Sequence, residues 1–246
     1  MTIIILGPTG SGKTGVSIEI AKAIGGEIIS ADSRAIYKGM DIGTAKPTKK
    51  EQSGVPHFGL DLVTPEERFT VADWKAYALK KIAEIKARGK VPIIVGGTGL
   101  YIDALIYDYQ FKGPTGHKIG DIEQKSCSDR TDIKGEYLLI GIKWDTAILR
   151  QRLKKRIDQM FTQELYNETK KLVQLYGWGS QAMKSNIYKY AYEYLQGDIT
   201  LQEAKEKSFY EDWHLAKRQL TWFKRTPEIV WLELDQVYPY IIKHFS

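Results

Sequence analysis

The octapeptide Gly7-Pro8-Thr9-Gly10-Ser11-Gly12-Lys13-Thr14 constrains this chain more than any other stretch. It fits the pattern G-x-x-x-x-G-K-[ST] in the context that gives the pattern meaning. The apolar run Ile3–Leu6 precedes it, and the amphipathic stretch Lys13–Ile24 follows. Glycines at such a strand-to-helix turn let backbone N–H groups wrap a phosphate at the positive end of the helix. Lys13 brings a point charge to the outer phosphate oxygens, and the Thr14 hydroxyl is a candidate Mg²⁺ ligand. The motif therefore demands a strand–loop–helix unit and a polyphosphate ligand. It leaves open whether a phosphoryl group is transferred, as in kinases and ATPases, or whether a diphosphate departs while carbon is attacked.

The rest of the chain extends this unit. Short apolar runs at Glu27–Ser30, Val91–Val95 and Tyr137–Ile142 read as strands. Val71, Trp74, Ala78, Ile82 and Ile85 fall at helical spacing, so Val71–Arg88 reads as a helix closed by Gly89. This alternation predicts an α/β fold, a P-loop NTPase-like parallel sheet flanked by helices. Tyr107–Gly135 is polar and glycine-containing, and reads as a loop or small insertion. Helices are expected over Thr146–Tyr176, Ile187–Gln196 and Leu201–Lys224, with a last short strand at Glu228–Leu234. The expected division is an α/β core over residues 1–142, with its reduced insertion near 107–135, and a mainly helical part over 143–246 packing on it.

Composition excludes several classes. At 43% hydrophobic the 246 residues can bury a proper core. The longest apolar run is far short of the roughly 20 residues that span a membrane. The N-terminus lacks a basic region before its apolar run, so a cytosolic protein is expected. A single cysteine, Cys127, excludes a disulfide framework, and His57, His117, His214 and His244 lack zinc-site spacing. The net charge of +6 fits an anionic partner such as RNA, and equally a basic soluble enzyme.

Two further stretches fall at strand ends, where an open parallel sheet borders its ligand crevice. Asp32 follows Ile28-Ile29-Ser30-Ala31, and is a candidate general base, a Mg²⁺ outer-sphere partner or a turn cap. Gly96-Gly97-Thr98-Gly99 follows the strand at Val91–Val95, and its glycines allow close approach to a ligand beside the Thr98 hydroxyl.

Together these stretches resemble the tRNA dimethylallyltransferase family. The resemblance is carried by GPTGSGKT at Gly7–Thr14, IISADSRAIYKGMDIGTAKP at Ile28–Pro47, and FTVADW at Phe69–Trp74. PIIVGGTGLY at Pro92–Tyr101, RLKKRIDQM at Arg152–Met160 and AKRQLTWFKR at Ala216–Arg225 complete it. It implies transfer of a dimethylallyl group from dimethylallyl diphosphate to N6 of the adenine 3′ of the anticodon. In that reaction Asp32, Thr98 and Lys13 would be catalytic. The loop Gly7, Pro8, Thr9, Gly10, Ser11, Gly12, Lys13 and Thr14 would hold the diphosphate, with Mg²⁺ on Thr14. The tRNA anticodon stem-loop would contact Asp32, Ser33, Arg34, Ala35, Thr98, Lys184, Tyr188, Lys189, Lys217, Arg218 and Gln219. A cytoplasmic monomer is expected. Arg150, Arg152, Lys154, Lys155, Arg156, Lys224 and Arg225 would add RNA phosphate contacts, and Trp222 and Phe223 would stack on bases. The alternatives are an ATP-dependent small-molecule kinase, a catalytically weak RNA-binding relative, and an adenylate isopentenyltransferase acting on a free nucleotide.

Three departures mark a shortened member of the family. The usual long helical insertion is reduced to Tyr107–Gly135, where Lys118, Arg130 and Lys134 are candidate substitutes for missing arginines. Ile187 stands where glycine is usual before Tyr188. Trp213, between Asp212 and His214, stands where an arginine is usual, and cannot replace a five-donor fork.

Overall fold

The computed structural model describes residues 1–111 and 132–245. Six strands form one parallel sheet: β1 (Thr2–Leu6), β2 (Gly26–Ala31), β3 (His57–Phe58), β4 (Val91–Gly96), β5 (Tyr137–Lys143) and β6 (Val230–Glu233). Their order is β3-β2-β4-β1-β5-β6, with every pairing parallel. Ile3 pairs with Ile93 and Leu138, and Ile4 with Ile94 and Leu139, so the central strands are apolar on both faces.

One face buries Ile4, Leu6, Ile29 and Ile94 under α3 (Val71–Ala87) and α4 (Gly99–Ile106). The other buries Ile3, Ile5, Ile28, Ile93 and Ile140 under α1 (Lys13–Ile24) and α9 (Leu234–Phe245). The predicted strands and the helix at Val71–Arg88 are present with ends moved by a residue or two. Thr70 and Asp73 form a capping box that starts α3.

A third apolar cluster lies outside the sheet. It joins Met40 to residues of α5 (Thr146–Met160), α6 (Gln163–Tyr176), α7 (Asn186–Gln196) and α8 (Leu201–Phe223). A single turn, α2 (Lys49–Gln52), lies between β2 and β3.

Besides the short elements α2 and β3, which the sequence pattern does not predict, four features differ from the expectation. Thr146–Tyr176 is two helices, because Phe161 leaves helical geometry to bury its ring and Thr162 begins the next helix in an extended conformation. The glycine turn at Gly96–Tyr101 opens α4, which the pattern did not reveal. Residues after the last strand form α9 despite the internal Pro239, which normally breaks a helix. Burial of Val237 and Ile241 beside α1 offsets that cost. The expected division at residue 142 has an exception too, since β6 and α9 return to the core from the far end of the chain. The ends of the expected insertion meet where Lys134 N–H donates to Ile106 O at 2.7 Å. Lys118, Arg130, His117 and Cys127 lie outside the described residues.

Candidate active site

The phosphate loop joins β1 to α1, and its two left-handed glycines, Gly10 (φ 76°) and Gly12 (φ 85°), set its curl. Side chains from distant elements hold it. Trp144 donates its indole N–H to Ser11 O at 2.9 Å, and Arg152 donates Nε to Gly10 O at 2.9 Å. Arg156 donates to the Thr9 hydroxyl. Thr9 N–H donates to Gln219 Oε1 at 2.8 Å, while Gln219 Nε2 donates to Gly97 O at 2.9 Å. One α8 amide thus ties the phosphate loop to the glycine turn after β4.

Lys13 folds over this loop and donates Nζ to Gly7 O (2.9 Å) and Pro8 O (2.7 Å). Burial lowers its pKa to about 8, against the opposing pull of Asp32 and with reinforcement from Arg156. Thr14 is exposed in the first turn of α1.

Asp32 sits just past β2, with Oδ1 accepting from Arg34 N–H (2.8 Å) and Ala35 N–H (3.3 Å). The turn-cap role is therefore real, and it occupies one carboxylate oxygen. Ser33 N–H donates to Thr98 Oγ1 at 3.0 Å, so the β2 and β4 ends are laced together. Gly96 is required by contact: a Cβ there would lie 2.2 Å from Ala31 O. Gly99 serves α8, since its missing Cβ leaves room for the Trp222 ring. Trp222 then donates its indole N–H to Asp103 Oδ2 at 2.9 Å.

These pieces line one cleft of about 1030 Å³. Thr9–Thr14 and Asp32, Ser33, Arg34 and Thr98 form its sheet side, and Arg152, Lys155, Arg156, Lys184, Arg218, Gln219 and Trp222 its helical side. Seven cations line it against four carboxylates, which suits a polyanionic ligand. A hollow of about 80 Å³ opens beside Lys13, Thr14 and Asp32, walled by Ala35, Ala45, Pro47, Leu60 and Val95. His57 also lines it; burial lowers its pKa, which favours the neutral ring. On the outer face of α8, Lys217, Arg218, Trp222 and Arg225 border a second hollow of about 450 Å³.

Several sequence-based assignments change. Tyr188 is fully buried, with its hydroxyl on Glu168, so it is not an RNA-contacting side chain. Phe223 is a core residue and does not stack on bases. Ala35 is buried, lining the small hollow instead of an RNA surface. Lys189 does not itself line the cleft; it pairs with Glu211, which does, and lies over the Tyr190 ring. Arg152 and Arg156 reach the phosphate loop, and Arg150 lies over Phe209. Gln219 spans two loops. Lys217 and Arg218 stay on the exposed face of α8.

Trp144, Asp212 and Glu168 were not foreseen. Asp212 lies buried beside Asn186 at 2.6 Å, and burial raises its pKa. None of the three carries a local sequence signal, because each acts through a partner far along the chain.

The Thr14 hydroxyl and Asp32 border the same small hollow beside Lys13, a donor set compatible with a Mg²⁺ ion that keeps most of its shell in phosphate oxygens and water. Among the described residues no group of three acidic, histidine or cysteine side chains is placed to hold a metal. Among the described residues no helix is long and apolar enough to cross a membrane.

The chain's relatives share this layout. The family model for IPP transferase matches residues 35–124 and 113–226. A tRNA dimethylallyltransferase of Acetivibrio thermocellus is 38% identical over 287 aligned positions, covering 95% of this chain and 92% of that protein. A tRNA dimethylallyltransferase of Staphylococcus haemolyticus is 36% identical, covering 95% and 86%. Both alignments are longer than this chain, so both relatives carry residues that it lacks. The crystal structure of a tRNA delta(2)-isopentenylpyrophosphate transferase from Staphylococcus epidermidis superposes with a TM-score of 0.86. It is 35% identical, with 99% of this chain and 98% of that one covered. Since these matches run through both walls of the cleft, the chain belongs to the IPP transferase family of tRNA dimethylallyltransferases.

Proposed function

We propose that this protein transfers the dimethylallyl group of dimethylallyl diphosphate to N6 of the adenine 3′-adjacent to the anticodon of tRNA. The carrying observation is the single cleft in which a phosphate loop faces Asp32 and Thr98 on one side and basic α5 and α8 on the other. The diphosphate lies on the loop amides, and Lys13 leaves its carbonyl partners for the phosphate oxygens. The small hollow beside Lys13 and Asp32 takes the five-carbon tail.

An adenine N6 amine is a weak nucleophile, because its lone pair is delocalised into the ring. The N6–C1 bond forms as the C1–O bond breaks, and the electron pair leaves with the diphosphate. The N6 proton passes to the Asp32 oxygen that is not engaged in the turn, a general-base contribution of about 10²–10⁴-fold. Thr98 orients the acceptor beside it. Lys13 and the loop amides stabilise charge on the departing diphosphate. Mg²⁺, held by Thr14, would neutralise part of that charge. The adenine leaves its stack to enter the cleft, at a cost of a few kcal/mol. Lys184, Lys217, Arg218 and Arg225 supply phosphate contacts. That one chain lines the cleft supports a monomer as the working unit, and a tRNA substrate supports a cytoplasmic location.

The test is mass spectrometry of an anticodon stem-loop incubated with the protein, Mg²⁺ and dimethylallyl diphosphate, with an ATP-only arm beside it. A dimethylallyl mass gain on the target adenine is expected. RNA binding without gain would favour a non-catalytic relative, and phosphoryl transfer in the second arm a kinase.

A further inference from the structure

Residues 41–46 line both the cleft and the small hollow, through Gly43, Thr44 and Ala45 in the first and Thr44, Ala45 and Lys46 in the second. They form no helix or strand; Ala45 and Lys46 N–H donate within the segment, to Ile42 O and Asp41 O, which leaves the N–H groups of 41–43 to partners from elsewhere. A single carboxylate meets that need. Glu168, on α6, accepts from Asp41 N–H at 3.2 Å, Ile42 N–H at 3.0 Å and Gly43 N–H at 3.2 Å. Three successive N–H groups turned on one anion form a nest, here filled by the protein's own side chain.

Tyr188 completes the arrangement. Its hydroxyl donates to Glu168 Oε1 at 2.5 Å and accepts from Gly43 N–H at 3.2 Å. Its ring packs so closely on Gly43 that a Cβ there would lie 2.6 Å away. Burial and the neighbouring carboxylate raise the Tyr188 pKa strongly, so the hydroxyl keeps the proton it donates. The turn is braced on its other side by Lys46, whose ammonium reaches Tyr37 O, Asp41 and Asp61.

We propose that Glu168, assisted by Tyr188, is a positioning residue that holds residues 41–46 as the wall of the prenyl diphosphate site. It lines neither cavity and acts only through the turn. The inference rests on the reading above that this site takes the donor. It assigns donor affinity to a residue of the helical half that touches neither the phosphate loop nor the cleft.

The full chain is compared with E168A, E168Q and Y188F. Backbone amide exchange at 41–43 and calorimetric affinity for dimethylallyl diphosphate are measured first, since neither needs an acceptor RNA. Steady-state KM for donor and for RNA, and kcat, follow. E168A leaves three backbone hydrogen bonds and the one from the Tyr188 hydroxyl unmade, and is expected to weaken donor binding by about tenfold or more. KM for RNA and kcat at saturating donor are expected to stay within about threefold, since the interaction lost is made equally in ground and transition states. E168Q keeps an acceptor oxygen and should fall between wild type and E168A, as should Y188F, with exchange at 41–43 quickening in the same order. If E168A does not fold, E168Q and Y188F carry the same comparison.

Faster exchange at 41–43 with unchanged donor affinity would overturn the proposal. So would equal losses in donor KM, RNA KM and kcat with a lowered Tm, which would make Glu168 a general support of the fold. Absence of prenyl transfer by the wild type would instead overturn the function proposed above, while exchange and donor affinity would still decide the role of Glu168.

Discussion

Gln219→Ala separates two roles for one side chain. The resemblance implies an RNA contact at Gln219, whereas its amide joins Thr9 N–H to Gly97 O, residues 210 and 122 positions away in the chain. Both bonds are partly buried and neutral. Each contributes about 1 kcal/mol net, and removal strands a donor and an acceptor, so truncation should cost about 2 kcal/mol. For a chain of this size that corresponds to a Tm lower by about 4–8 °C. The amide of Thr9 belongs to the phosphate loop, so donor KM should rise as well, by about tenfold if most of the lost energy appears in binding. Urea and thermal unfolding, with KM for each substrate, provide the assay. Gln219→Glu sharpens it. A carboxylate still accepts from Thr9 N–H, but it opposes Gly97 O and sets a negative charge beside the diphosphate. It should therefore harm donor binding more than alanine does. If Gln219→Ala weakens RNA binding alone and leaves Tm and donor KM at wild-type values, the bridging argument is wrong.

Four further tests address separate parts of the site. Asp32→Asn keeps an acceptor for the turn at Arg34 and Ala35 but cannot take the N6 proton. Single-turnover prenylation should fall by about 10²–10⁴-fold with RNA affinity kept, and joint loss of both would mark a structural role. Lys13 titrates near 8 in the free protein, and the diphosphate needs its charged form. Donor affinity by calorimetry should be flat below pH 7 and weaken as pH rises through 8; a flat profile to pH 9.5 would contradict this. Gly96→Ala would set a Cβ 2.2 Å from the Ala31 carbonyl oxygen, and should destabilise the fold by more than about 3 kcal/mol or prevent soluble expression. Lys217→Ala and Arg225→Ala should each reduce the slope of log affinity for RNA against log salt by about 1, leaving donor KM unchanged.

Much of the α/β core was legible because its signals are local. Runs such as Ile3–Leu6 and Ile93–Val95 are short, apolar at every position and followed by glycines, as strands buried on both faces are. Trp74, Ala78, Ile82 and Ile85 repeat at helical spacing, so α3 could be placed. The later elements were less legible where local preference and packing disagree. Pro239 argues against a helix, yet α9 forms because Val237 and Ile241 are buried. Thr146–Tyr176 shows one continuous helical pattern, yet it breaks at Phe161, where a large ring turns into the core.

The chemical part of the site divides in the same way. The phosphate loop, Asp32 and Thr98 follow from contiguous residues, because glycine spacing and strand ends prescribe a backbone shape and the edge on which it falls. The partners of those residues do not follow from contiguity. Arg152 and Arg156 read as RNA-binding cations until the packing of α5 turns them onto Gly10 and Thr9. Tyr188 and Phe223 sit in motifs that read as RNA-facing, and both are buried. Gln219, Trp222 and Glu168 gain their roles only where α8 crosses Gly97 and Gly99 and α6 meets the turn at Asp41–Gly43. A sequence determines local dihedral preference and the period of burial over a few turns. Which loop a side chain meets depends on how elements far apart in the chain pack together, and that was decided by the tertiary structure alone.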